Sequence, residues 1–353
     1  MFNPLNLKSE FFVTSYSLII LSIISNSFLI YLIITQTKSC IGTYKYLMLA
    51  FAIYDIVYST IFGGLKPGYF SVYGSFITFL VGYKFDDQIN GALAIFIVMF
   101  VYLQSMVGLS LHFLYRYFAI CSPKRLVLFS TLNYAFRWAL LSIVVCISVD
   151  TLIMLITIPD EYTYDSCGPG FYKQFSTSLE NVTFMAISYF QYKNDGTLIF
   201  KWTTCIGFIV VTLFLTSTFI SMAICAFYIK CSIRSSKLSE KTRKLHNQLF
   251  TSLLVQTIII FSTAYIQPII VCFLPLFNIS YGMFGLYSTQ IIALYPAINP
   301  WLIIYIIRDY REFCLKKLKL PNLNFCTQMS AKIMPSAHSH TKTDDANQRP
   351  QNR

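Results

Sequence analysis

Seven apolar stretches, each long enough to cross a bilayer, divide this chain. They are Phe11–Thr35, Tyr46–Leu65, Ala92–Leu114, Trp138–Ile158, Trp202–Ile229, Leu249–Leu274 and Leu286–Ile307. About 20 apolar residues span the roughly 30 Å hydrocarbon core of a membrane. Water cannot pair with the backbone in that layer, so each stretch must close its own hydrogen bonds as a helix. A soluble domain carries about 25% charged residues. Here 12% of 353 residues are charged and 56% are hydrophobic. The predicted fold class is therefore an all-α membrane protein, a bundle of seven transmembrane helices.

The first stretch does not read as a signal peptide. Lys8 is the lone basic residue ahead of it, the run is too long, and no A-x-A site follows. An uncleaved first helix is expected, preceded by a short outer segment, residues 1–10. Phe76–Val81 is apolar but too short to span, and is expected to be a loop segment folded over the bundle.

Loop charge sets orientation, because Lys and Arg accumulate on the cytoplasmic side. With the N-terminus outside, twenty-one Lys and Arg fall on inner segments and six on outer ones. The outer loops also hold Asp86, Asp87, Asp160, Glu161, Asp165, Glu180 and Asp195. The expected topology is N-terminus outside, C-terminus inside. Residues 308–320 mix Phe313, Leu315 and Leu318 with Lys316, Lys317 and Lys319. That pattern predicts a short amphipathic helix on an anionic inner leaflet. Cys314 within it is a palmitoylation candidate. Residues 321–353 are polar and aperiodic, and are expected to be disordered.

The net charge of +12 does not point to nucleic acid, because the basic residues lie between the apolar runs and after the last one. Ten cysteines and four histidines show no metal-ligand spacing. No nucleophile with a base and no phosphate-cradling loop is present. No cofactor, no metal and no enzymatic activity are expected.

Several polar residues fall inside the apolar runs. Asp55 lies near the middle of the second run, where an acid costs on the order of 3 kcal/mol and must face the bundle interior. Asn26 and Asn299 are its candidate partners, and the set reads as a polar node able to rearrange between two states. Asp150 in the fourth run is similar, with no partner named by the sequence. Pro268, Pro296 and Pro300 each remove a helix hydrogen bond and favour a kink. Phe96, Phe100 and Gln104 share one helix face at i, i+4 and i+8. Together with Tyr265 and Gln290 they are the expected lining of a site for a small, mostly apolar molecule; Tyr287, near the outer end of the seventh run, carries the same signal. Asn181 in "NVT" is a glycosylation sequon in the long segment Pro159–Lys201. Cys167 in that segment has Cys205 and Cys272 as candidate disulfide partners, and a free thiol is the alternative.

Seven helices in this orientation resemble a G-protein-coupled receptor. "RYFAICSP" (Arg116–Pro123) resembles the arginine box at the inner end of the third helix in rhodopsin-like receptors. "YPAINPWLIIYIIRDYREF" (Tyr295–Phe313) and "IGTYKYLM" (Ile41–Met48) resemble nematode serpentine chemoreceptors of the Str superfamily. The resemblance covers Phe11–Phe313. It implies a receptor for an odorant or soluble cue that couples to a heterotrimeric G protein, in the plasma membrane and the cilia of sensory neurons. It assigns the activation switch to Arg116, with Asp55, Asn299 and Pro300. Two departures stand out. Tyr115 replaces the acid that usually precedes the arginine, so neutral partners such as Tyr305 are expected for Arg116. No cysteine lies near the outer start of the third helix, so the common disulfide to the second outer loop is absent. The competing class is a seven-helix channel or transporter.

Overall fold

The computed structural model describes residues 4–37, 44–72, 74–85, 87–129, 131–192, 197–235 and 239–317. The expected tail beyond Lys317 and part of the "IGTYKYLM" segment lie outside these residues.

Seven helical crossings form the bundle, as the apolar runs require. The first five are α1 (Pro4–Gln36), α2 (Tyr44–Leu65), α3 (Gln88–Cys121), α4 (Leu132–Ile156) and, after a 15-residue helix α5 (Glu161–Phe175) in the connecting segment, α6 (Trp202–Ser235). The sixth crossing is composite. It runs through α7 (Glu240–Ile260), a π-helical turn at Phe261–Tyr265 and α8 (Ile266–Phe273). The seventh is α9 (Phe284–Ile306), and α10 (Arg308–Lys317) follows it. α3 is the most enclosed crossing and packs against α2, α4 and α6, while α1 lies along α2 and α9. The faces pointing away from these contacts remain apolar, with Ile20, Leu140, Leu213 and Phe227 exposed, as lipid contact demands.

One end of the bundle is closed by a sheet that the apolar pattern did not reveal. β1 (Pro67–Val72) and β2 (Ser75–Leu80) pair antiparallel, and β3 (Phe184–Ser188) adds to β2. Val72 opposes Ser75, so the hairpin turns in two residues. Gly74 supplies φ +72°, and a Cβ there would lie 2.2 Å from the Phe190 ring. A second pair, β4 (Phe190–Tyr192) with β5 (Leu198–Phe200), leads into α6. The patch expected as a loop segment over the bundle is thus the β2 strand. The close approach of β1 to α9 depends on Gly285, where a Cβ would fall 2.0 Å from the Tyr69 carbonyl oxygen.

The sheet is buried on both faces, and its side chains alternate between two cores. Tyr69, Phe76, Met185 and Ile187 join the main core of the bundle. Phe70, Ile77, Phe79, Phe184 and Ala186 join a second core with Phe11, Phe171 and Leu286. The Ala186 amide donates to the Thr157 carbonyl at 2.9 Å, tying β3 to the end of α4.

Asp160 fastens the long connecting segment. It caps α5 by accepting from the Thr163 amide at 3.1 Å and hydroxyl at 2.6 Å. Its other oxygen accepts from Gln191 Nε2 at 2.6 Å and pairs with Lys201, just ahead of α6. Burial alone would raise the Asp160 pKa. The bonds from Lys201 and Thr163 outweigh burial and hold it down at about 2, below its ordinary 3.8.

Candidate functional site: an apolar cavity and a polar core

Beneath the inner face of the sheet lies a cavity of about 110 Å³. Its walls are helix faces: Ile153, Met154 and Ile156 from α4 with Thr157 just past its end, and Phe208, Val211, Thr212 and Leu215 at i, i+3, i+4 and i+7 from α6. Ile95, Met99, Tyr102 and Leu103 of α3 form another wall, and Phe76, Thr78, Met185 and Ile187 of the sheet form the roof. Pro268, Ile269 and Cys272 of α8 complete it. At about 110 Å³ it is smaller than the roughly 150 Å³ cavity that admits benzene, so it suits only a very compact, mostly apolar molecule.

One wall residue reaches into the backbone of the sixth crossing. Pro268 has no amide hydrogen, so it cannot bond the carbonyl four residues back, that of Ala264. The Tyr102 hydroxyl donates to that carbonyl at 2.5 Å. The next residue, Tyr265, shares a hydrogen bond of 2.8 Å with the Thr218 hydroxyl of α6. The π turn is thereby pinned from two neighbouring helices.

The residues expected as a ligand site do not converge on this cavity. Gln104 donates to Ser142 of α4 at 2.9 Å, and Gln290 donates to Ser15 of α1 at 3.0 Å. Tyr265 is engaged with Thr218, while Phe96 and Phe100 are half-buried on α3. None of the five lines the cavity. Ile95 and Met99, one position before each phenylalanine, line it instead. Asp150 is fully buried on the α4 face that carries Ile153, Met154 and Thr157, one turn deeper. Among the described residues neither of its carboxyl oxygens has a hydrogen-bond partner.

Deeper in the bundle, the Asn299 side-chain amide donates to Asp55 Oδ2 at 2.8 Å. Asn26 instead donates to the Pro296 carbonyl at 2.9 Å, next to Ser25, whose hydroxyl donates to the Ala297 carbonyl at 3.2 Å. α1 thus grips α9 through its backbone, where Pro296 and Pro300 interrupt the helix ladder. A small cavity of about 20 Å³, bounded by Asn299, Met48, Ser252, Gln256, His112 and Tyr44, lies between this node and the basic end.

Arg116 is an interior residue. α3 continues to Cys121 rather than ending near Leu114, and the arginine is 2% exposed. Its guanidinium carbon lies 4.4 Å from the centroid of the Tyr44 ring. Tyr115 stacks on Tyr44 at 5.5 Å and meets Phe129 edge-on at 5.4 Å. Nε and Nη2 of Arg116 have no hydrogen-bond partner among the described residues. Tyr305, the neutral partner named from the sequence, is exposed, and its carbonyl accepts from Arg311 at 2.9 Å.

The remaining candidates sit at the periphery. Asn181 is exposed in a short turn and accepts from Lys84 Nζ at 3.0 Å. Cys167 is a buried free thiol, and the seven other cysteines among the described residues are also free, of which Cys146 alone is buried. Cys314 is half-buried on α10. Among the described residues no group of three His, Cys, Asp or Glu could hold a metal ion.

Seven crossings, a buried aspartate–asparagine pair and a buried arginine near one end define a seven-transmembrane receptor. The chain belongs to the serpentine chemoreceptors: the family described as "Serpentine type 7TM GPCR chemoreceptor Str" matches residues 11–315. It is similar to serpentine receptor class r-10 of Caenorhabditis briggsae, with 29% identity over 304 residues, 83% of this chain and 87% of that one. The Caenorhabditis elegans protein of the same name is 28% identical over 322 residues, covering 88% and 93%. G-protein coupled receptor str-33 of Caenorhabditis elegans is 22% identical over 297 residues, covering 82% and 85%. The resemblance to the Str superfamily is borne out. This is a multi-pass membrane receptor family and not an enzyme family.

Proposed function

We propose that this receptor detects a small, mostly apolar chemical cue in the cavity under the sheet and activates a heterotrimeric G protein at its basic end. The reading places the N-terminus, the sheet and Asn181 outside and α10 inside. It places the protein in the plasma membrane, at the cilia of sensory neurons, glycosylated at Asn181 and palmitoylated at Cys314.

The observation that supports this reading is the hydrogen bond from Tyr102 to the Ala264 carbonyl. Tyr102 is at once a wall of the cavity and the replacement donor for the bond that Pro268 removes. A guest that displaces the Tyr102 hydroxyl leaves the carbonyl unpaired in an apolar layer, at a cost of about 1–3 kcal/mol. That is enough to bias a two-state equilibrium about 5- to 150-fold. The sixth crossing then moves about its π turn. Gln104 and Tyr265 act as positioning residues through Ser142 and Thr218; Phe96, Phe100 and Gln290 act from outside the cavity. At the far end Arg116 leaves the face of Tyr44 and its fork of donors becomes available to the G protein. The rearranging node of Asp55, Asn299 and Pro300 lies between the two.

A screen of volatile and soluble small molecules in cells with a G-protein readout tests this, with channel currents recorded in parallel. Tyr102→Phe should shift the potency of any active cue at equal surface level. Currents that persist after G-protein blockade would assign the chain to the channel class instead.

A further inference from the structure

We infer that the receptor carries a second binding site, on the opposite face of the sheet from the cavity above, for a small amphipathic carboxylate. A separate cavity of about 190 Å³ lies there. Its apolar floor belongs to the second core, with Phe11 of α1, Phe79 of β2, Phe171 and Phe175 of α5, and Leu286 of α9. These rings already make edge and tilted contacts with one another, Phe79 to Phe171 at 5.0 Å and Phe171 to Phe175 at 4.7 Å. The floor is therefore a rigid aromatic surface. Its volume exceeds the roughly 150 Å³ that admits benzene, leaving room for one ring or a short chain and a head group.

The rim is different in kind. It is formed by Lys84, Gln174, Thr177, Asn181 and Tyr83, and among the described residues no carboxylate lines the cavity. Lys84 has no ion-pair partner among the described residues. Its hydrogen-bond partner among the described residues is the neutral Asn181 amide oxygen, at 3.0 Å. An ammonium offers three donors, so two remain. A carboxylate at the rim gains a charge-assisted bond without breaking an existing ion pair. A neutral head would find the same geometry but a weaker bond, and an ammonium head would meet a like charge.

The sheet keeps this site apart from the cue cavity. Thr78 and Phe79 are neighbours on β2, yet Thr78 roofs one cavity and Phe79 floors the other. Binding here therefore does not rest on the function proposed above.

The full chain, purified and reconstituted in lipid nanodiscs, is probed with 3-phenylpropionate, 3-phenylpropanol and 3-phenylpropylamine. Ligand-observed NMR is read against empty nanodiscs. The acid should bind saturably and more tightly than the alcohol, and the amine should bind weakest. Lys84→Gln should weaken the acid about tenfold, the size of one charge-assisted bond at a partly exposed rim, while leaving the alcohol unchanged. Lys84→Arg should retain the acid. Val211→Phe, which fills the cue cavity, should leave acid binding intact, which separates failure here from failure of the cue site. Equal binding of acid and alcohol would overturn the inference. So would an unchanged acid affinity in Lys84→Gln, or no signal above empty nanodiscs.

Discussion

The guanidinium of Arg116 rests on the ring of Tyr44, 4.4 Å from its centroid, with Tyr115 stacked against the same ring. An aromatic sandwich occupies the place where an acid would ordinarily hold the arginine. A desolvated cation–π contact is worth about 2 kcal/mol. Tyr44→Leu should therefore raise ligand-independent signalling, while Tyr44→Phe, which keeps the ring face, should not. Arg116→Lys should reach the surface but lose most signalling, because a lysine lacks the planar fork. Arg125→Lys should change little. Normal signalling by Arg116→Lys at equal surface level would reduce the residue to a membrane anchor.

Tyr102 and Pro268 make a paired prediction. Tyr102→Phe leaves the Ala264 carbonyl without its donor and should destabilise the receptor by about 1–3 kcal/mol. Pro268→Ala returns an amide hydrogen to the helix. In that background Tyr102→Phe should cost much less. A double-mutant cycle of thermal stability in nanodiscs measures the coupling, and strictly additive effects would show that the two groups do not serve one carbonyl.

Asp55 and Asn299 should behave as a unit. Asp55→Ala leaves the Asn299 amide buried without its acceptor, and should lower stability by about 1–3 kcal/mol. Asp55→Ala combined with Asn299→Ala should be less costly than the sum of the two single changes. Additive losses in ligand-independent melting experiments would break the pair.

Asp160 predicts an acid-sensitive strap. Its folded pKa of about 2 lies below the ordinary 3.8, so its bonds add stability that is complete above about pH 4. That stability is lost as pH falls from there towards 2. Protease cleavage between Pro159 and Lys201 should accelerate over this window. Asp160→Asn should cleave faster at neutral pH and lose the Asp160 part of the pH step. An identical pH profile in wild type and Asp160→Asn would remove the carboxylate from the strap.

Orientation is tested with epitope tags at the two termini of intact cells. Antibody should reach the N-terminal tag without permeabilisation and the C-terminal tag after it. The reverse pattern would invert the placement of both cavities.

The seven crossings were legible because lipid forces apolar runs to be helical. Their ends were not. α1 begins at Pro4, before Phe11, and α3 runs seven residues past Leu114 to Cys121. Aromatic packing by Tyr115 and Phe118 extends α3 where hydropathy falls, and that extension buries Arg116. The sheet was hidden for a different reason. β2 is buried at all six positions, so the alternation that marks a half-exposed strand is erased. The cue cavity was hidden with it, because its roof comes from β2 and β3 and its walls from helix faces whose rotation the sequence leaves open. Asn299 as a partner for Asp55 could be named in advance, since a buried acid needs a donor and the chain offers few.

The π turn at Phe261–Tyr265 works as a phase shifter. A π turn packs about one more residue into its turn than an α-helix, so residues beyond it face about 100° away from where an unbroken α-helix of the same sequence would put them. The segment carrying Pro268, Ile269 and Cys272 therefore has an angular setting independent of the segment that faces Arg116. One helix can present a receptor-specific surface at one end and an unaltered signalling surface at the other. Winding Phe261–Tyr265 as plain α-helix at unchanged length would turn Cys272 away from the cavity by about 100°, leaving the basic end in register, whereas deleting one residue there would keep Cys272 in place. On the function proposed above, the surface that meets the cue can therefore change without disturbing the surface that meets the G protein.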